Sequence, residues 1–63
     1  YTKRGSALRG ARLKEDMTQV ELAKKLKITQ SDLSKMENGA RPIGKKMAQR
    51  LSKVLNIDYR VFL

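Results

Sequence analysis

The chain has 63 residues with 15 Lys and Arg against 6 Asp and Glu, a net charge of +9, and it contains neither histidine nor cysteine. That length implies one domain spanning residues 1–63, close to the lower limit for folding without disulfide or metal staples. The missing residue types remove disulfides, a thiolate nucleophile, the commonest zinc ligands and the commonest general base. The expectation is therefore no enzyme, no metal site and no cofactor. The positive balance points instead to a polyanionic partner, for which nucleic acid is the usual candidate. No apolar run approaches the roughly 20 residues that cross a bilayer, and no signal-peptide pattern is visible. A cytoplasmic protein with no membrane partner is the simplest expectation.

No stretch alternates with β-branched or aromatic enrichment, so the periodicity predicts helices throughout. A first helix is expected over about Ser6 to Lys14, with Leu8 and Ala11 three residues apart. Glu15-Asp16 ends it, aspartate being one of the few residues besides glycine that tolerate a left-handed turn. Thr18 followed by Glu21 forms a capping box, and Met17 with Leu22 forms a hydrophobic staple across it. The second helix carries Val20, Leu22, Ala23 and Leu26, and is expected to end near Lys25. Thr29 repeats the cap signal after a very short gap. The third helix then carries Leu33, Met36 and Glu37 and stops at Asn38-Gly39.

Pro42 marks the strongest break in the chain. A fourth helix follows from about Gly44 to Leu55, with Met47, Leu51, Val54 and Leu55 on one face, and Asn56 ends it. Asp58 is placed to cap a last short turn through Tyr59 to Phe62. The pattern predicts an all-α, compact five-helix bundle. Its core is expected to draw on Leu8, Met17, Leu22, Leu26, Ile28, Leu33, Met36, Ile43, Met47, Leu51 and Leu55.

Two short capped helices joined by a tight apolar turn, over about residues 18–37, are what a helix-turn-helix requires. The sequence here resembles the bacterial and phage Cro/C1-type (Xre) helix-turn-helix repressors. The resemblance is carried by Thr18-Gln19, Glu21-Leu22-Ala23, Leu26, Ile28, Thr29-Gln30, Leu33-Ser34 and Met36-Glu37-Asn38-Gly39, followed by Pro42 and then Ala48, Leu51 and Leu55. It covers nearly the whole chain and implies a lambda-repressor-like DNA-binding domain. Helix two would cross the sugar-phosphate backbone while helix three enters the major groove. Asp16 and Lys27 depart from the glycines often found in the family. A lysine at a left-handed turn position costs about 1 kcal/mol relative to glycine.

Helical geometry sorts the third helix independently. With Leu33 taken as inward and about 100° per residue, Met36 falls roughly 60° to one side and Glu37 roughly 40° to the other. Ser31 and Lys35 then face outward with Ser34 and Asp32 on the flanks, and Gln30 lies nearer the core side but in the first turn, where its long side chain can reach past the helix end. In the family the N-terminal residues of this helix read bases. That implies Gln30, Ser31, Ser34 and Lys35 as base contacts, Gln suiting adenine and Lys suiting guanine. Asp32 is a specificity modulator or a local ion-pair partner.

Phosphate contacts are expected at Gln19, beside the free N–H groups of a helix start. Lys45 and Lys46 at the start of helix four add to these, as do Lys3 and Arg4 as an arm. Asn38 and Arg41 resemble the family's backbone-contacting positions. Glu37, expected on or beside the inward face, needs a partner. The resemblance supplies Arg12 as the other half of a structural ion pair.

The C-terminal Tyr59, Val61, Phe62 and Leu63 either complete the core or form a homodimer surface, with Tyr59, Val61 and Phe62 as the candidate interface. Two functional readings follow. One is a sequence-specific repressor of double-stranded DNA. The other is the antitoxin of a toxin–antitoxin pair, which would also bind a toxin protein, its C-terminal apolar cluster offering a surface.

Overall fold

Four α-helices follow one another in a computed structural model that describes residues 3–62: α1 (Lys3–Lys14), α2 (Gln19–Leu26), α3 (Gln30–Asn38) and α4 (Lys45–Leu55). A 3₁₀ turn, Tyr59–Phe62, closes the chain, and no strand occurs among the described residues. The expected fifth helix is thus a single tight turn, and the bundle has four α-helices. Asp58 explains the difference. Its carboxylate accepts from the Arg60 N–H at 3.0 Å and its carbonyl accepts from the Val61 N–H at 3.2 Å, so the first donors bond at i+2 and i+3.

The ends of the helices share one device. Asp16, Lys27, Gly39 and Asn56 all adopt positive φ, at 60°, 59°, 82° and 55°. Each reverses the chain so that the next N–H reaches back to an orphan carbonyl: Met17 to Arg12, Ile28 to Ala23, Ala40 to Lys35 and Ile57 to Ser52. Only Gly39 occupies this region without steric cost. The other three hold it because the bonded ends and the packing beyond them require it.

α1 packs on α3 and on the 3₁₀ turn, α2 packs on α3 and α4, and α4 closes against the 3₁₀ turn. The principal contacts therefore form a ring around a single core of Leu8, Ala11, Leu22, Ala23, Leu26, Leu33, Met36, Ile43, Ala48, Leu51, Leu55 and Phe62. Met17, Ile28 and Met47, expected in the core, are half-buried at its margin. The first two sit in the connections between helices, where one side of each faces solvent. Phe62 is wholly buried. It is a core residue and cannot serve in the candidate dimer surface, which keeps the exposed Val61 and half-buried Tyr59; Leu63 lies outside the described residues.

α1 begins at Lys3 rather than near Ser6, so Lys3 and Arg4 belong to its first turn and do not form a free arm. Its start is pressed against the far end of α3. A Cβ built on Gly5 would fall on the Glu37 carbonyl oxygen and within 2.9 Å of the Met36 carbonyl oxygen. Only glycine allows main chain to meet main chain this closely.

Candidate nucleic-acid interface

The unit formed by α2, its turn and α3 is specified by local chemistry at both starts. The Thr18 hydroxyl accepts from the Glu21 N–H at 3.1 Å, and the Glu21 carboxylate accepts from the Thr18 N–H at 3.0 Å. The Thr18 N–H first, and the nearby Thr18 hydroxyl second, hold the Glu21 carboxyl below its usual pKa. The Thr29 hydroxyl accepts from the Asp32 N–H at 3.1 Å at the start of α3. Between them Lys27 takes the left-handed conformation, and its N–H and that of Ile28 return to Lys24 and Ala23. Arg50, reaching across from α4, donates to the Leu26 carbonyl and closes the last turn of α2. Leu22, Ala23 and Leu26 then face the core from one helix, and Leu33, Met36 and Glu37 from the next.

Glu37 is 1% exposed and Arg12 8%, so both charges are out of water and need full pairing. Arg12 grips the carboxylate with two donors, Nε to Oε2 at 2.8 Å and Nη2 to Oε1 at 3.2 Å. Its Nη1 donates to the Met17 carbonyl at 2.8 Å. Glu37 Oε1 also accepts from Gln19 Nε2 at 3.3 Å, and Gln19 Oε1 accepts from Gln30 Nε2 at 3.3 Å. An ionised carboxylate can only accept, so it orients the Gln19 amide, which in turn orients that of Gln30. No buried side-chain polar atom among the described residues lacks a partner.

This chain of bonds runs from the core to the first residue of α3. It leaves Oε1 and the second amide hydrogen of the exposed Gln30 unused by the fold. The half-buried Gln19 side chain bonds Glu37 and Gln30, and the Gln19 N–H lies in the first turn of α2 as expected, where helix N–H groups have no partner within the helix.

Ser31, Lys35 and Asn38 are exposed on the outer side of α3 and Gln30 in its first turn, while Ser34 is half-buried on one flank. On the other flank Asp32 pairs with Arg41, Oδ1 to Nη1 at 2.9 Å. Arg41, although exposed, is thus drawn to α3. Arg4 lines the cleft that Arg41 shares with Met36, Gly39, Pro42 and Ile43. Lys45 and Lys46 are exposed in the first turn of α4, where Gly44 provides no side-chain cap. The free N–H groups of that turn and two ammonium groups make it suited to an anion.

Sequence reasoning did not foresee the Gln19–Gln30 bond or the reach of Arg50 to α2. Both join residues on separate helices, and neither leaves a local signal. No group of three acidic residues that could hold a metal occurs among the described residues. No helix among the described residues is long and apolar enough to cross a membrane.

A family model described as helix-turn-helix matches residues 8–62. No curated protein and no solved structure gives a significant match.

Proposed function

The chain belongs to the Cro/C1-type helix-turn-helix family of DNA-binding regulators, and we propose that it is a sequence-specific repressor with a lambda-repressor-like DNA-binding domain. The observation that carries this reading is the two-sidedness of α3. Leu33, Met36 and Glu37 anchor one side, Ser31 and Lys35 are presented on the other, and Gln30 is exposed in the first turn.

In the major groove, Gln30 offers Oε1 to the adenine N6 amino group and its free amide hydrogen to N7, its direction set by Gln19. Lys35 donates to guanine O6 or N7, and Ser31 and Ser34 complete the set of base contacts. The Gln19 N–H, Asn38, Arg41, Lys45 and Lys46 hold the phosphates and fix the register without reading sequence. Two copies on a two-fold operator place their α3 helices about 34 Å apart. Occupancy of the operator excludes polymerase, with no cofactor and no chemical step.

Selection of bound sites from a random duplex pool, followed by titration of the selected and a scrambled duplex at two salt concentrations, tests the proposal. A two-fold motif and tighter binding to the selected duplex are expected. Equal affinity for both duplexes, or no binding at low salt, would refute it.

A further inference from the structure

Asp32 and Glu37 are the two acidic residues of α3, and Glu37 is consumed in the core by Arg12. Asp32 is therefore the negative charge that this helix would carry toward a polyanion. Both members of its pair with Arg41 are fixed through their main chains. The Asp32 N–H is held by the Thr29 hydroxyl at 3.1 Å, and the Arg41 N–H donates to the Lys35 carbonyl at 3.2 Å. The side chains remain 34% and 55% exposed, respectively. An ion pair so open to solvent adds little to folding, which leaves its effect on binding as the consequence to examine.

We propose that Asp32 makes Arg41 a conditional phosphate ligand, and thereby sets how strongly the protein prefers its operator to other duplexes. The inference rests on the DNA-binding reading above. While paired, the two side chains present no net charge, so Arg41 adds nothing to loose attraction by an arbitrary duplex. To reach a phosphate Arg41 must leave Asp32, and the freed carboxylate then faces the groove. Where a base edge presents an amino group, cytosine N4 or adenine N6, Asp32 gains a new donor as Arg41 departs. Where none is presented, the carboxylate is left beside phosphates with no partner. The pair thus weakens wrong complexes more than the right one, which is discrimination by repulsion.

Four proteins test this: the unaltered chain, Asp32→Asn, Arg41→Ala and the double variant, each titrated with the selected and scrambled duplexes over a salt series. Both side chains are exposed enough that folding, checked by thermal unfolding, should persist. Asp32→Asn is expected to tighten the scrambled duplex more than the selected one, lowering the preference about 2- to 5-fold, the range an exposed ion pair allows. Its salt dependence on the scrambled duplex should steepen by about one unit as Arg41 is released to a phosphate. On the scrambled duplex Arg41→Ala should leave the salt slope unchanged when Asp32 is present, because the lost cation is not on a phosphate, and flatten it by about one unit in the Asp32→Asn background. Equal changes of slope in both backgrounds would overturn the inference, because Asp32 would then act only as one charge in a sum. If the unaltered chain binds neither duplex, the DNA-binding reading itself fails.

Discussion

The helices of this domain begin in two different ways. α2 and α3 each start behind a threonine whose hydroxyl accepts a main-chain N–H, with an acid in the first turn. α4 starts behind a glycine that makes no side-chain bond, and neither α1 nor α4 has an acid in its first turn. A cap contributes about 1 kcal/mol, and an acid near a helix start adds about 0.3–1 kcal/mol where a lysine subtracts a similar amount. The helices whose direction matters for reading DNA are therefore specified locally. α4 depends instead on packing, as shown by the complete burial of Ala48 and Leu51. The lysines at the start of α4 are an electrostatic cost in the isolated molecule, which a phosphate at that end would reverse.

Severing the link between the two classes should have the largest effect. Arg12→Ala leaves Glu37 buried and unpaired, and is expected to cost about 3–5 kcal/mol. A domain of this size has about 3–9 kcal/mol in total, so urea denaturation should find the variant largely unfolded or close to it. A loss below about 1 kcal/mol would mean that the pair is dispensable. Next comes the cap of α3. Thr29→Ala should lower stability by about 1 kcal/mol, seen as a shift in the denaturation midpoint with an unchanged slope. The smallest effect sharpens the contrast by reversing a sign. Lys46→Glu should raise stability by about 0.3–1 kcal/mol while weakening every duplex and flattening the salt dependence. Loss of stability in that variant would show that Lys46 is held by a favourable contact within the fold.

Local signals made much of this legible. Thr18 with Glu21, Thr29 and the Asn38-Gly39 stop bracket α2 and α3 within a residue of their observed bounds. The left-handed ends at Asp16, Lys27 and Asn56 follow from short gaps between helical patterns, which leave no room for a longer loop. The start of α1 was not legible, since Lys3, Arg4 and Gly5 carry no start signal and their helix is held by a neighbour distant in sequence. Nor did the C-terminal residues show which side chain turns inward. Tyr59, Val61 and Phe62 have similar apolar character, and only the closing 3₁₀ turn sends Phe62 into the core. At the candidate site, the outward face of α3 is a matter of period. The partners of Gln19, Gln30, Asp32 and Arg41 depend on how separate segments meet.

The contact at Gly5 has a bearing on how such a domain changes its target. Backbone supports α3 from behind, and a backbone surface is indifferent to which residues the helix displays in front. Exchanging Ser31, Ser34 or Lys35 for other residues leaves that support untouched. If that face reads bases as proposed, new binding preferences can be written onto the same scaffold one letter at a time, without rebuilding what holds the helix in place.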